Sequence, residues 1–318
     1  MPTKTAAAPI AAAAASFRPL EMSSVGLMNL LPRSGVYGGR TNTAPEPTIE
    51  RARLEHGIRF VTYNVNSLGA RLERVLVLLD EHRPDVVLIQ ETKSSPEAFP
   101  RLPLQAAGYH AADHSGGRWE GVAILAREPL TIDDVVIGLP GEPDPDQARW
   151  IEAVVGGIRV ASVYVPNGRA LGTETFDAKL RFLETMAERA ASMSEKSVIG
   201  GDMNVCPADI DVWNPAQIHG STHVTPDERR RLAAVSEAGF VDAFRTLHPD
   251  DPGYSWWDYR AGHFHKGFGL RIDLLLSSSD LATGLRAAWI DRDYRKPTKV
   301  PGTKPSDHAP LIVDIDIP

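Results

Sequence analysis

Residues 58–92 have the sequence IRFVTYNVNSLGARLERVLVLLDEHRPDVVLIQET and contain one complete strand–helix–strand pattern. From Arg59 to Val65, apolar and polar side chains alternate as they do on a half-buried β-strand. Apolar side chains then recur at helical spacing from Arg71 to His82, and a proline follows shortly after. The β-branched run Asp85–Gln90 is typical of a buried strand. This stretch therefore predicts two strands joined by a helix, each strand ending on polar residues.

The rest of the chain repeats this alternation of strands and helices. Further strands are predicted at Gly121–Ala126, Trp150–Val155, Val160–Val165, Ser197–Gly200, Leu270–Leu276 and Pro310–Ile315. A helix is predicted over Thr175–Met193. Another begins at Thr225, where Thr-Pro-Asp-Glu is a capping box with proline at the first helical position, and it ends near Gly239. Strands alternating with helices predict an α/β fold for residues 58–318.

Residues 1–57 differ in composition from the rest of the chain. They contain an alanine-rich run from Ala6 to Ala15, scattered proline and glycine, and no sustained apolar periodicity. We interpret this segment as a disordered extension, or as a start codon placed too early, with Met22 or Met28 as the true start. Because the segment is poor in acids, an organellar transit peptide is the secondary alternative.

The charge of the chain limits how it could bind nucleic acid. The 318 residues carry a net charge of −7 with a pI near 5.8, which argues against histone-like binding by bulk charge. A nuclease is not excluded, since clustered acids can hold metal while a local basic surface contacts phosphates. One stretch could be such a surface or an ordinary solvated loop. Its basic residues are Arg286, Arg292, Arg295, Lys296, Lys299 and Lys304.

Compartment and membrane signals are weak in this sequence. No run approaches the roughly 18 apolar residues that a membrane span needs. The single cysteine, Cys206, excludes an intramolecular disulfide and fits a reducing compartment, so we expect a cytoplasmic, nucleoid-associated protein. We interpret Cys206 as a small buried filler and not as a nucleophile.

Acids, amides and a histidine lie at one end of each of four separate strands. They are Asn64 and Asn66, Glu91, Asp202 with Asn204, and Asp307 with His308. Turn chemistry could explain one such strand end. Its recurrence at four strand ends indicates a shared rim on which these side chains meet.

Oxygen donors at this rim suit a magnesium ion. Mg²⁺ usually takes one or two carboxylates and keeps several waters. Glu91 and Asp307, with Asn64, Asn66 or Asp202 near by, meet that need. Zinc is disfavoured because the sequence has no HxxxH or Cys/His ligand spacing.

The same residues could hydrolyse a phosphodiester. Asp202 could accept a proton from water, while Asn204, two residues on, fixes that water by a hydrogen bond. Gly200 and Gly201 have no side-chain bulk and would leave room for a substrate. A protonated His308 could contact a phosphate oxygen, with Asp273 holding its ring. The alternative for Asp273 is a buried acid that caps a strand end.

Eight motifs together resemble the exonuclease III family of apurinic/apyrimidinic (AP) endonucleases, within the endonuclease/exonuclease/phosphatase superfamily. They are TYNVNSL (62–68), VVLIQETK (86–93), GVAIL (121–125), SVYVPNGR (162–169), GGDMNVCP (200–207), YSWWDYR (254–260), GLRIDLLL (269–276) and KPSDHAP (304–310). They follow the family's order and span essentially all of residues 58–318. The resemblance implies one catalytic domain there, a four-layered αββα sandwich of two packed mixed β-sheets, as in DNase I.

The resemblance also implies roles for individual residues, with Glu91 as the principal metal ligand. The implied metal-site residues are Asn64, Glu91, Asp202, Asn204 and Asp307. The implied catalytic residues are Tyr164, Asp202, Asn204, Asp273 and His308. The implied substrate-binding residues are Asn66, Asn167, Trp256, Leu270 and His308. Tyr164, Asn167 and His308 would contact the target phosphate, and Asp273 would orient His308.

The activity that the resemblance implies is DNA-repair hydrolysis. The expected reaction is cleavage of the backbone of double-stranded DNA on the 5′ side of abasic sites. Action at 3′ ends, as a 3′-to-5′ exonuclease and a 3′-phosphatase or 3′-phosphodiesterase, is expected at the same site. The expected cofactor is Mg²⁺, with Mn²⁺ as a substitute, and the expected state is a monomer without membrane contact. The alternatives are another superfamily enzyme, such as a DNase I-like nuclease or a phosphatase, and a catalytically inactive DNA-binding relative.

Two positions depart from the pattern of some relatives. Asn66 stands where the animal enzymes have an aspartate, and Leu270 stands where they have a tryptophan against the extruded sugar. We expect Trp256 and Leu270 to form the wall of the sugar pocket, with ordinary core packing as the alternative for Trp256. Trp213 could lie on a DNA-facing loop.

Overall fold

The computed structural model describes residues 57–194 and 196–317. The prediction of a disordered or misassigned segment at residues 1–57 lies outside the described residues, except for Gly57. In chain order the strands are β1 (Ile58–Asn64), β2 (Val86–Gln90), β3 (Tyr109–His114), β4 (Val122–Arg127), β5 (Asp133–Ile137), β6 (Trp150–Val155), β7 (Ile158–Tyr164), β8 (Ser197–Asp202), β9 (Phe240–Asp242), β10 (Asp273–Ser278), β11 (Leu285–Ile290) and β12 (Leu311–Ile315). The α-helices are α1 (Leu68–His82), α2 (Arg101–Ala106), α3 (Glu174–Ser192), α4 (Pro215–Ile218), α5 (Pro226–Glu237), α6 (Ala243–Leu247), α7 (His263–Lys266) and α8 (Ser279–Ala282).

The strands form two six-stranded mixed sheets. The first has the order β11-β12-β1-β2-β4-β3 and the second the order β5-β6-β7-β8-β10-β9. Each sheet contains one parallel pair joined by a helix: β1 and β2 through α1, and β7 and β8 through α3. None of the helices in the described ranges combines the length and apolarity needed to cross a membrane.

Alternation along the strands produces four layers. In β1, Phe60 faces a core cluster between the sheets, while Val61 and Tyr63 face α1 on the outer side. On the second sheet, α3 and α5 cover the outer face through residues such as Phe182 and Val235. The helix–sheet–sheet–helix order confirms the predicted αββα sandwich.

The two glycines before Asp202 serve the packing of this sandwich. A Cβ atom at Gly200 would lie 2.6 Å from Cδ1 of Leu88 on the facing sheet, and one at Gly201 would lie 1.9 Å from the carbonyl oxygen of Val163 on the neighbouring strand. The space that we expected these glycines to leave for a substrate is therefore filled by the protein itself. They allow β8 to lie close to its neighbours, which brings Asp202 to the rim.

Candidate active site

The strand order places the predicted polar residues at one rim of the sandwich. Asn64 ends β1, Glu91 follows β2, and Asp202 ends β8. Asp273 begins β10 directly opposite Asp202 in the antiparallel register, and His308 lies shortly before β12. The two parallel pairs thus bring their carboxyl ends together, as the sequence predicts.

Three of these side chains converge at the rim and are called here the three-donor cluster. One ligand atom each from Glu91, Asp202 and His308 lies within 4.8 Å of the other two. The Asn64 amide nitrogen donates to Oε1 of Glu91 and to Oδ2 of Asp202, at 2.9 Å in each case. Two converging carboxylates that share the Asn64 amide as a donor suit a hard divalent cation, so the donor set fits Mg²⁺ or Mn²⁺.

The backbone is strained at this rim. Glu91, Asn204 and Asn66 have positive φ angles of 52°, 50° and 47°, in the left-handed region that non-glycine residues rarely adopt. For Glu91 this conformation costs of order 1–2 kcal/mol, and less for the two asparagines, which adopt it more readily; strain of this kind clusters at functional sites.

His308 and Asp273 form a buried charged pair. Nδ1 of His308 lies 2.9 Å from Oδ2 of Asp273, which also accepts a 2.6 Å hydrogen bond from the hydroxyl of Ser255. Burial opposes the charged imidazolium, but the carboxylates of Asp273, Asp202 and Asp307 outweigh it and raise the pKa of His308 to about 10. The ring is therefore cationic at neutral pH and offers no lone pair to a metal, so within the cluster only Glu91 and Asp202 could hold one.

Asp202 is poised as a base. Burial, with the negative charges of Asp273 and Glu91, raises its pKa to about 7 against the opposing effect of His308. Its Oδ1 accepts the backbone N–H of Asn204 at 2.9 Å, and its Oδ2 lies 3.8 Å from Nε2 of His308. A carboxylate whose pKa is near the working pH can both accept and release a proton.

Tyr164, Asn167 and Asn204 line the next part of the rim. Tyr164 lies opposite Asp202 in the parallel register, and burial together with Glu91 and Asp202 raises the pKa of its hydroxyl well above the usual value, so it remains a donor. The Asn204 amide donates to the Val165 carbonyl at 2.9 Å and accepts from the Asn167 amide at 3.2 Å. These three predicted residues are brought together.

Asp307 lies beside the three-donor cluster in a separate set of hydrogen bonds. Its Oδ1 accepts from the Asn66 amide at 2.9 Å and its Oδ2 accepts from Nε1 of Trp256 at 3.1 Å. These bonds leave Asp307 outside the group of donor atoms that converge within 4.8 Å. The structure therefore places Asp307 near the rim, and its predicted contact with metal stays a prediction.

Trp256 and Leu270 lie next to each other beside His308. The backbones of Trp256 and Leu270 pair, as do those of Trp256 and His308. Leu270 is only 6% exposed and packs in a small core with Cys206, whereas Trp256 is half-buried. The adjacency expected of a pocket wall is present, and most of the exposed area belongs to Trp256.

Trp213 and the basic stretch have partners within the protein. Trp213 stacks on Phe268 with ring centroids 3.9 Å apart. Most of the basic side chains between Arg286 and Lys304 pair with acids or lie on rings. Arg286 pairs with Asp316, Lys296 with Asp293 and Lys299 with Glu81, Arg295 is buried, and Arg292 and Lys304 lie over the rings of Trp257 and Tyr259. These contacts favour a structural loop over a free phosphate-binding surface.

Two cations near the site were missed from the sequence. Nζ of Lys93 lies 2.6 Å from Oε2 of Glu91 and 2.7 Å from Oδ1 of Asn66. The guanidinium of Arg149 lies over the Tyr164 ring at 4.8 Å. Both line a cavity of about 480 Å³ together with Glu91, Tyr164 and Asn167. Lys93 follows the QET motif by one residue, which was the available signal.

The geometry agrees with the comparison to known proteins. A sequence profile of the Endonuclease/Exonuclease/phosphatase family matches residues 61–308. This chain belongs to the endonuclease/exonuclease/phosphatase family. Within the family it resembles exodeoxyribonuclease III of Haemophilus influenzae, to which it is 33% identical over 270 residues, 80% of this chain and 98% of that protein.

Solved structures of family members have the same fold. The 3′ phosphatase NExo from Neisseria, solved with a product DNA hairpin, is 35% identical with a TM-score of 0.77, covering 81% of this chain and 99% of that one. An AP endonuclease from Archaeoglobus fulgidus is 35% identical with a TM-score of 0.76, covering 82% and 100%. These matches confirm the prediction of an exonuclease III or AP endonuclease-type hydrolase with a DNase I-like sandwich.

Proposed function

We propose that this chain is a Mg²⁺-dependent DNA-repair phosphodiesterase, with Mn²⁺ as a substitute metal. It cuts the backbone of double-stranded DNA on the 5′ side of abasic sites. The same site removes nucleotides and phosphate groups from 3′ ends. The observation that carries this proposal is the convergence of Glu91, Asp202 and His308 within 4.8 Å, with Asp273 held behind His308.

The charged and polar groups at the rim have separate roles in hydrolysis. A bound metal would supply Lewis acidity at the phosphoryl oxygens, held by Glu91 with Asn64 and Asp202 beside it. Asp202 accepts the proton of the attacking water as the new P–O bond forms, and the leaving oxygen departs with the bonding electron pair and takes up a proton from solvent. The His308 imidazolium stabilises negative charge on the phosphate, and the hydroxyl of Tyr164 donates a hydrogen bond to it. Asn167 and Asn204 orient the phosphate and the water.

The comparisons support DNA as the substrate and extend the proposal to 3′ ends. The relatives described above are named as an exodeoxyribonuclease, a 3′ phosphatase and an AP endonuclease. The three activities require the same hydrolytic chemistry and differ in how the DNA is presented. We place them in one catalytic domain, residues 58–318, that acts as a monomer.

Two other functions remain as alternatives. A catalytically inactive DNA-binding relative would lack one of Glu91, Asp202 or His308, and all three are present and close together. Another phosphodiesterase or phosphatase of the family would share these residues and differ in the pocket formed by the segment from Trp256 to Asp273.

One assay separates these cases. The protein is incubated with an abasic duplex, a blunt intact duplex and a duplex bearing a 3′-phosphate, with Mg²⁺ titrated from zero. We expect metal-dependent incision of the abasic duplex and release of the 3′-phosphate. Intact DNA in all three reactions at every Mg²⁺ concentration would contradict the proposal.

A further inference from the structure

Lys179 is a fully buried cation behind the active-site rim. It lies on α3 with its side chain 0% exposed, paired with Glu228 of α5, which is also 0% exposed. Lysine and glutamate are almost never fully buried unless they are paired. Neither residue touches the three-donor cluster, and neither has a place in the mechanism above.

The ammonium group of Lys179 joins three separate loops. Besides Glu228, Nζ donates to the backbone carbonyl of Asn204 at 2.7 Å and to that of Asn167 at 3.3 Å. It also donates to the hydroxyl of Thr222 at 3.2 Å. One buried cation thus contacts the carbonyls of two predicted site residues, each of which also accepts from a second donor, the ring of His223 for Asn204 and the hydroxyl of Thr222 for Asn167.

The two held residues are linked to each other. Asn204 has a φ of 50°, in the left-handed region, which asparagine adopts more readily than other residues with a Cβ. Its side chain lies between the Val165 carbonyl and the Asn167 amide. A small rotation of the backbone at Asn204 would therefore displace both asparagine amides from the rim.

We propose that Lys179 is a positioning residue for DNA cleavage, which fixes the main chain of Asn204 and Asn167 while Glu228 acts as its counter-ion. This inference rests on the proposed function, because it requires the two asparagines to act on the phosphate and the water. A buried ion pair is weak evidence for stability, since apolar replacements of such pairs are often neutral or stabilising. The bonds from Lys179 to two carbonyls at the site give this ion pair a positioning role instead.

Two single variants break the same ion pair and separate the roles. Glu228→Gln removes the counter-ion but leaves the lysine nitrogen to donate to both carbonyls. Lys179→Met keeps the apolar stem and removes the donor. We expect both variants to melt at lower temperature than the parent. Lys179→Met should lower kcat by about 10- to 100-fold, as misplacement of catalytic groups does, with KM nearly unchanged, whereas Glu228→Gln should keep a kcat close to that of the parent.

Glu152→Gln is the matched control. Glu152 is buried and pairs with Arg189, on the same helix as Lys179, but makes no contact with the rim residues. The Glu152→Gln variant should have a lower melting temperature than the parent and the same kcat. If Lys179→Met does not fold, the double variant Lys179→Met/Glu228→Gln, which buries no charge, replaces it in the same assay and should show the same loss of kcat.

The outcomes distinguish this inference from the proposed function. Assays run well below each melting temperature, on the substrate that the parent hydrolyses fastest. Parent-like kcat in the folded Lys179 variant would overturn the inference, and so would equal losses of kcat in the Lys179 and Glu228 variants. A parent protein that leaves DNA intact would instead refute the proposed function.

Discussion

Nδ1 of His308 lies 2.9 Å from the Asp273 carboxylate, although the two residues are 35 positions apart in the sequence. The contact depends on two strands of different sheets: β10 begins at Asp273 in the second sheet, and β12 of the first sheet follows His308. Burial of the ring lowers the pKa of His308, but Asp273, with Asp202 and Asp307, outweighs that effect and keeps His308 charged where a phosphate would bind.

Replacing Asp273 should therefore change how activity depends on pH. Activity requires protonated His308 and is lost as pH rises through its pKa, which is about 10 in the parent. Asp273→Asn removes the main charge that raises this pKa, so the alkaline limb of the kcat/KM profile should move to lower pH. Ser255→Ala, which keeps the carboxylate, should leave that limb in place. An alkaline limb that does not move in Asp273→Asn would show that another group controls it.

Glu91 should control the metal requirement. Glu91→Gln should raise the Mg²⁺ concentration for half-maximal activity by about tenfold or more, since even the loss of a partner outside the ligand shell costs about that much. The fold should stay intact by circular dichroism. Glu120→Gln is the control, because Glu120 lines the same cavity outside the three-donor cluster. A Glu91 variant that titrates with Mg²⁺ as the parent does would remove Glu91 from the metal site.

We expect ionised Asp202 to lower the free energy of unfolding of the metal-free protein at high pH. A folded pKa raised to about 7 means that this carboxyl stabilises the fold at low pH and loses that contribution as pH rises through 7. Asp202→Asn should therefore stabilise the metal-free protein at pH 8 by about 1–3 kcal/mol, and by much less at pH 4.

Asp307 supplies a control of opposite sign for the Asp202 experiment. Burial alone would raise the pKa of Asp307, but His308 and the hydrogen bonds from Asn66 and Trp256 lower it overall. Its ionised form therefore stabilises the fold above the unfolded-state pKa, and that contribution is lost as pH falls. Asp307→Asn should lower stability at pH 8. The free energy of unfolding of both variants can be measured with urea in a chelating buffer. Changes of the same sign at pH 8 in the two variants would contradict the assigned electrostatics.

Trp256 should select the substrate. Trp256→Ala should lower abasic-site cleavage and relax the rejection of normal nucleotides, because the extruded sugar loses its wall. Removal of a 3′-phosphate should fall less, since a frayed end needs no such pocket. If Trp256 is only core, its loss costs about 3–5 kcal/mol and all activities fall with stability. Rates on the three substrates, measured beside a thermal melt, distinguish the two.

The sequence predicted the layers of the fold because its central strands and covering helices have clear periodicity. Helix α1 begins at Leu68, three residues before the predicted start, since Ser67 caps it and the backbone bends at Arg71. Strands β3, β5, β9 and β11 were missed. β5 is exposed along its whole length, so no alternation marks it, and β11 lies in a stretch that we interpreted from its charge.

The site was predictable where motif and strand end coincide, as at Glu91, Asp202 and His308. The hydrogen bonds that occupy Asp307 could not be foreseen, because they depend on side chains 51 and 241 positions away. The same holds for Lys179, because a lysine side chain is expected at the surface until the three loops around it are placed. Local sequence patterns do not predict burial that is caused by segments far away in the sequence.

Single-turnover cleavage of an end-labelled abasic duplex tests the central claim most directly. We expect the parent with Mg²⁺ to cut on the 5′ side of the abasic site and leave a 3′-hydroxyl, with no cut in a chelating buffer. Asp202→Asn should cut more slowly by about 10²-fold or more while binding the duplex as tightly. A cut on the 3′ side that persists without metal, or a parent-like rate in Asp202→Asn, would contradict hydrolysis by this site.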